Sequence, residues 1–144
     1  MAEARRSGTM RTMQTEQPTI LYGTAWKEER TEALVLRALA AGFRAIDTAN
    51  QRKHYVEAAV GSALRQSGVP REQLFLQTKF TYARGQDRRL PYDPHAAIAE
   101  QVRQSFVGSL EHLGVARLDS YLLHGPWSTR GWAAQDRQAW QAME

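Results

Sequence analysis

Cysteine is absent from this 144-residue chain, and long apolar runs are absent as well. Without thiols the protein cannot have a disulfide scaffold, a zinc site built on thiolates or a cysteine nucleophile. No run approaches the roughly 20 apolar residues that a membrane span needs. The lack of cysteine also fits a reducing compartment. We therefore expect a cytoplasmic protein with no membrane partner.

Several motifs that indicate particular chemistries are also missing. The sequence has no G-x-G-x-x-G, no Walker loop and no nucleophile elbow, and its four histidines do not fall at metal-ligand spacing. Lysine and arginine exceed aspartate and glutamate by 19 to 15, but the basic residues are spread along the chain rather than collected in one stripe. We expect no metal site and no nucleic-acid partner.

Segment 1–17 differs in character from the rest of the chain. It is polar, it mixes arginine with glutamate, and it lacks the apolar core of a secretory signal. The whole chain has 42% hydrophobic and 24% charged residues, which is typical of a globular domain. We predict a flexible arm at 1–17 and an ordered domain at 18–144.

Short β-rich runs alternate with stretches of helical periodicity after the arm. The runs predict four strands, at 19–22, 43–46, 74–78 and 118–123. The helices between them are predicted to end at Gly42, Gly68 and Gly114. Strand, crossover helix and strand in this order predict an α/β fold with parallel strands.

The helix starts have their own signals. Thr31 stands where a helix N-cap belongs, and Asp93 followed by Pro94 is a strong helix start. A last helix is predicted from about 134 to 144. We expect Trp132 and Trp140 to be core residues of that helix.

Ionisable residues follow three successive strands. Asp47 follows strand two, Lys79 follows strand three and His124 follows strand four. Each has an ordinary explanation alone: a loop start, a solvated strand end or a structural histidine. In parallel α/β folds, however, catalytic groups gather at the carboxyl ends of strands. The three together predict one shared site.

These residues lie in motifs that resemble the aldo-keto reductases. The motifs are GTAW at 23–26, GFRAIDTA at 42–49, VGSAL at 60–64, LGV at 113–115 and DSYLLH at 119–124. The resemblance implies a (β/α)8 TIM barrel, of which this chain supplies about the first four β/α units. It also implies an oxidoreductase with a catalytic Asp, Tyr, Lys and His.

The tyrosine is the one member of this tetrad that departs from the pattern. The family usually has it five residues after the aspartate, and Arg52 occupies that position here. Arginine stays charged and cannot donate a proton. We assign the role to Tyr55, eight residues after Asp47, with an insertion in the loop. His54 is a second candidate for this role. The alternative for Tyr55 itself is that it only caps the next helix.

The resemblance implies that a carbonyl is reduced to an alcohol by hydride transfer. Tyr55 would protonate the alkoxide, Lys79 would lower the Tyr55 pKa, Asp47 would hold Lys79, and His124 would polarise the carbonyl. The hydride would come from NADPH, with NADH as the alternative. The substrate would be a small-molecule aldehyde or ketone.

The resemblance also suggests which residues meet the nicotinamide end of the cofactor. They are Gly23, Thr24, Trp26 and Asp47. In the family, most contacts to the pyrophosphate and adenosine come from later strands and loops.

Two further features bear on the substrate pocket. The family often has tryptophan after the histidine, where this chain has Gly125, so Trp127 is a candidate to replace that ring in part. The loop carrying Arg84, Arg88 and Arg89 could attract an anionic substrate. A solvated loop is the plainer interpretation.

The chain is short for such a barrel. A (β/α)8 barrel needs about 250 residues, and this chain has 144. We expect little or no activity from the isolated chain and self-association through open barrel edges. The alternative function is a non-catalytic half-barrel that acts through self-association or a partner.

Overall fold

The computed structural model describes residues 18–144, and the arm predicted at 1–17 lies outside the described residues. Four strands alternate with four α-helices along this part of the chain. They are β1 (Tyr22–Gly23), α1 (Thr31–Ala40), β2 (Ala45–Asp47), α2 (Glu57–Ser67), β3 (Phe75–Phe80), α3 (Ile98–Leu113), β4 (Ser120–Leu123) and α4 (Ala134–Met143). The alternation predicted from the sequence is confirmed.

The strands form one parallel sheet in the order β1-β2-β3-β4. The register places Gly23 beside Asp47, and Lys79 beside Leu122. Sequence neighbours are therefore also spatial neighbours, which is the arrangement of the first half of a β/α barrel. In the described part of the chain, no helix combines the length and the apolar character needed to cross a membrane.

Two apolar clusters hold the helices against the sheet. The larger one joins the first three helices to the strands, with Val35, Ile46, Val60, Leu76 and Leu113 at its centre. The other surrounds the end of β3. Its buried members are Phe80, Tyr82, Tyr92, Val102 and Ala139. All these side chains are almost completely removed from water, so hydrophobic burial fixes the helices on the sheet.

The helices end where the glycines predict. Gly68 follows α2 with a φ of 66° and Gly114 follows α3 with a φ of 69°. This left-handed conformation costs little without a Cβ, which explains the choice of glycine at both ends.

The predicted helix starts are wrong at two places. The hydroxyl of Thr31 donates to the Glu28 carbonyl at 2.7 Å, so Thr31 is the first residue of α1 after a short 3-10 turn rather than its cap. The Asp93 carboxylate accepts the His95 N–H at 2.9 Å and closes a local turn. The helix begins only at Ile98. The Asp93 carboxylate accepts its hydrogen bond within the local turn, so it does not cap the helix.

The expectation that Trp132 and Trp140 are core residues is also wrong. Their exposed fractions are 53% and 47%. The side chains that α4 buries are instead Asp136 and Ala139. Asp136 is buried because its carboxylate accepts the N–H groups of Trp127 and Ala133.

Candidate active site

The carboxyl edge of the sheet carries the three ionisable residues that the sequence singled out. Asp47 is the last residue of β2, Lys79 lies near the end of β3, and His124 follows β4 directly. Tyr55 comes from the loop between β2 and α2. Parallel neighbouring strands bring their carboxyl ends to the same edge. There the four side chains contact one another in succession, Asp47 with Lys79, Lys79 with Tyr55 and Tyr55 with His124.

Asp47 and Lys79 form a largely buried ion pair. The Lys79 Nζ donates to Asp47 Oδ1 at 2.6 Å and to the Thr48 carbonyl at 2.7 Å. The amide of Gln77 donates to the same Asp47 oxygen at 2.7 Å. Two acceptors therefore hold the ammonium and fix its position at the carboxyl edge of the sheet.

Tyr55 lies between Lys79 and His124. The Lys79 Nζ is 5.2 Å from the centroid of the Tyr55 ring, and the Tyr55 and His124 rings are 5.8 Å apart in an edge-on contact. The hydrogen bonds of Lys79 go to Asp47 and Thr48. Lys79 thus faces the aromatic ring by a cation–π contact.

The direction of the Tyr55 pKa differs from the expectation. Burial raises this pKa, and the Asp47 carboxylate raises it further. The lowering by Lys79 that the sequence led us to expect is not found, since both causes of the shift raise the pKa of Tyr55. Tyr55 is therefore fully protonated at neutral pH.

His124 is held through one ring nitrogen. Its Nδ1 is 2.8 Å from the Thr81 hydroxyl. Burial lowers the pKa of His124, and the Lys79 charge lowers it further against an opposing effect of Asp47. The imidazole is therefore neutral at pH 7, and the Thr81 contact leaves Nε2 for another group.

The rival residues have other neighbours. The His54 ring stacks on Trp26 with centroids 3.5 Å apart, and the His54 carbonyl accepts the Trp26 N–H. The Arg52 side chain is exposed, and its carbonyl accepts a hydrogen bond from Arg89. Of the three candidates for the tyrosine role, Tyr55 is the one in ring contact with both Lys79 and His124.

The residues expected to meet the cofactor fall into two groups. Gly23 borders open space, and the Trp26 side chain is 66% exposed with a backbone φ of 59°. Thr24 is completely buried, and its hydroxyl donates to the Asp47 carbonyl at 3.0 Å. Thr24 therefore supports the strand that carries Asp47 and has no exposed surface for a cofactor.

A small cavity of about 180 Å³ opens beside His124, with Thr81, Arg84 and Gly125 in its wall. A side chain at Gly125 would meet open space, so the glycine enlarges this region. Trp127 packs edge-on against Tyr82, which also lines the cavity, with ring centroids 5.0 Å apart. Trp127 is not among the residues that line the cavity, and it contacts the cavity wall through Tyr82.

A buried polar network near the site was not anticipated from the sequence. The Glu57 carboxylate accepts hydroxyl hydrogens from Thr78 at 2.5 Å and Ser109 at 3.0 Å, and it contacts His112 Nδ1 at 3.0 Å. Glu57 lies two residues after Tyr55, and Thr78 precedes Lys79. The sequence did carry one sign of buried polar groups in α3. Ser105 and Ser109 lie among the buried residues of that helix, where its apolar face would otherwise be expected to have apolar side chains.

The parallel strands follow one another in chain order, β1-β2-β3-β4, and the polar site lies at their carboxyl edge, which is the arrangement of the (β/α)8-barrel class. Residues 7–144 match the sequence model of the Aldo/keto reductase family. The chain therefore belongs to the aldo-keto reductases.

Individual relatives agree with this placement. An aldo-keto reductase of Mycolicibacterium paratuberculosis is 41% identical over 117 residues, which are 81% of this chain and 36% of that protein. Morphine 6-dehydrogenase of Pseudomonas putida is 38% identical over 81% of this chain and 33% of that protein. The chain thus spans about a third of the length of these curated relatives.

Solved structures show the same fold. An aldo/keto reductase from Brucella melitensis has a TM-score of 0.66 and 30% identity, covering 85% of this chain and 42% of that one. A Bombyx mori aldo-keto reductase in complex with NADP has a TM-score of 0.66 and 27% identity, covering 88% and 42%. The expected fold, part of a (β/α)8 barrel, is confirmed.

Proposed function

We propose that this chain carries the acid–base half of an NADPH-dependent carbonyl reductase that converts a small aldehyde or ketone to its alcohol. The observation that carries the proposal is the position of Tyr55, with its ring against both Lys79 and His124. A phenol between an ammonium and an imidazole is suited to give its proton to a nascent alkoxide. Membership of the family supports the same chemistry.

Each residue of the site has a physical role in this scheme. The neutral His124 donates a hydrogen bond from Nε2 to the carbonyl oxygen and orients it. Tyr55 is protonated at neutral pH, as an ordinary tyrosine is, and burial and Asp47 raise its pKa further. A proton is therefore available at its hydroxyl. As that proton leaves, Lys79 is the cation that faces the phenolate ring, and Asp47 holds it in place.

The cofactor fits the part of the site that β1 borders. Gly23 lies beside Asp47 in the sheet register and borders open space, and Trp26 is exposed next to it. A flat aromatic surface and a glycine allow close approach of a nicotinamide ring, which when bound would supply the hydride. NADPH is proposed because the Bombyx mori neighbour was solved with NADP, and NADH is the alternative.

Tyr55→Phe tests the assignment of the proton donor. Little turnover is expected from the isolated chain, so the test applies to any NADPH-dependent reduction of a simple aldehyde that the parent shows. We expect the variant to abolish that reduction, since a general acid contributes about 10²–10⁴-fold to the rate. The measurement is the loss of NADPH fluorescence at high protein concentration. Arg52→Ala is the control, and we expect it to keep the activity of the parent. Full activity in Tyr55→Phe would show that the tetrad assignment is wrong.

Cofactor binding separates this proposal from the non-catalytic alternative. The exposed Trp26 should be quenched when NADPH binds beside Gly23, and Trp26→Phe should lose that change while other tryptophans report little. Little or no turnover by the isolated 144 residues stays a prediction. A chain with neither quenching nor turnover would contradict the proposed function and favour a half-barrel that acts by association.

A further inference from the structure

The cavity beside His124 has an unusual balance of charge. Among the described residues that line it, Arg84 is the one with a permanently charged side chain. The other lining residues are neutral, and burial together with Lys79 keeps His124 neutral as well. A ligand in this cavity therefore meets one positive charge with no negative charge beside it in the wall.

Arg84 differs from the other arginines of its loop. Arg89 forms an ion pair with Asp87 at 2.5 Å and also donates to the Arg52 carbonyl. Arg88 is exposed and lies outside the cavity wall. The Arg84 guanidinium donates to the Pro126 carbonyl, and within the described residues it makes no ion pair.

The Pro126 contact has two consequences. It holds Arg84 across the rim of the cavity, next to the segment that follows His124, and it uses only one of the five N–H donors that a guanidinium has. The remaining donors can bind a carboxylate in a two-point contact.

Nearby carboxylates do not compete for Arg84. The charge of Asp47 is matched by Lys79. The Asp136 carboxylate, whose pKa the Arg84 charge helps to lower, already accepts hydrogen bonds from Trp127, Ala133 and the Tyr82 hydroxyl. An added anion would therefore find Arg84 available.

We propose that Arg84 determines substrate specificity by binding the carboxylate of a small oxo acid whose carbonyl oxygen meets His124. This inference rests on the proposed function for the identity of the reacting carbonyl, but the carboxylate contact itself is a property of the cavity. The cavity is partly open to solvent, so oxo acids of two lengths are compared.

Equilibrium binding tests the proposal without any need for turnover. The probe is pyruvate, with pyruvamide as its uncharged counterpart, and 5-oxopentanoate paired with pentanal covers a longer spacing. Side-chain NMR of His124 is the readout. We expect saturable shifts from at least one oxo acid, and affinity weaker by about tenfold or more for its uncharged partner, the size expected of one charge-assisted contact.

Variants assign the effect to Arg84. Arg84→Met keeps the length of this exposed side chain and removes its charge, so we expect it to weaken oxo-acid binding by about tenfold or more and to leave the uncharged partner unchanged. Arg88→Met is the matched control from the same loop and should behave as the parent. A thermal melt of each variant confirms that the fold is retained.

Two results would overturn the inference. One is equal affinity for the charged and uncharged partners, or no saturable shift from either oxo acid. The other is an Arg84→Met variant that binds the oxo acid as tightly as the parent. Failure of the proposed function would give a different result: NADPH would not quench Trp26, while the oxo acid would still bind through Arg84.

Discussion

At the residue scale, Asp47 has two opposing effects on the site. Its carboxylate holds the Lys79 ammonium at 2.6 Å. The same negative charge disfavours a phenolate at Tyr55, so it raises the pKa of the residue that we propose as proton donor. The ion pair thus positions Lys79 but also compensates the charge that would otherwise make Tyr55 more acidic.

This balance predicts the effect of Asp47→Asn. Removing the carboxylate takes away a charge that raises the Tyr55 pKa and leaves the Lys79 charge uncompensated. Both changes stabilise the phenolate, so the Tyr55 pKa should fall. An NMR titration with labelled tyrosine measures it.

Tyr92 is the internal reference for that titration. Burial alone raises the pKa of Tyr92 to about 12, so the Asp47→Asn change should leave it unaltered. A Tyr55 pKa that rises or stays constant in Asp47→Asn would show that Asp47 does not act on Tyr55 through its charge.

At the scale of secondary structure elements, the contact between α2 and α3 depends on Gly61. A Cβ at this position would collide with the His112 carbonyl oxygen and lie 2.9 Å from the Leu113 Cα. The two helix backbones therefore approach more closely than any other residue at 61 would allow. The same contact keeps Glu57 within reach of Ser109 and His112.

Gly61→Ala should consequently destabilise the protein. Alanine favours helices by about 1 kcal/mol over glycine, but the collision with backbone forces the helices apart at a cost of about 1–3 kcal/mol. Urea unfolding gives the free energy of unfolding for each variant.

Gly108→Ala is the matched control, because its Cβ would meet the Asn50 amide at an ordinary 3.5 Å. This variant should be unchanged or more stable by up to about 1 kcal/mol. Equal stability of the two variants would mean that the helices are not in close contact at Gly61.

Loops between elements were harder to predict than the elements. Apolar spacing located all four helices, and the glycines located the ends of α2 and α3. The start of α3 was misplaced because Asp93 has a choice of partners, and its carboxylate takes the His95 N–H of a local turn. Such a choice between competing hydrogen bonds is decided by surrounding contacts.

At the scale of the whole molecule, the described sheet has two open edges, at β1 and β4. Leu122 on β4 is 38% exposed, and Trp132 and Trp140 are exposed nearby in the sequence. Unpaired strand edges with apolar side chains favour association with another chain. Self-association of the 144 residues therefore stays a prediction with a structural basis.

Leu122→Lys tests that prediction. A charge on β4 should oppose edge-to-edge pairing, so the variant should shift the protein towards monomer in gel filtration with light scattering. Val107→Lys is the control, since Val107 is equally exposed, at 39%, but lies on α3. A parent protein that is monomeric at all concentrations, or equal effects of both variants, would contradict association through β4.

The sequence by itself determined the order of elements and the residues at the strand ends. Apolar periodicity and glycine are local properties, and parallel pairing of consecutive strands then places Asp47, Lys79 and His124 at one edge. Only the tertiary structure decided that Tyr55, and not Arg52 or His54, contacts Lys79 and His124.

The remaining features belong to the tertiary structure for the same reason. The direction of the Tyr55 pKa, the Glu57 network and the place of Arg84 in the cavity wall depend on burial and on contacts between residues distant in the chain. Glu57 and Ser109, for example, are 52 residues apart in sequence and 3.0 Å apart in space. Local propensities do not encode such distances, because they arise only when the elements pack together.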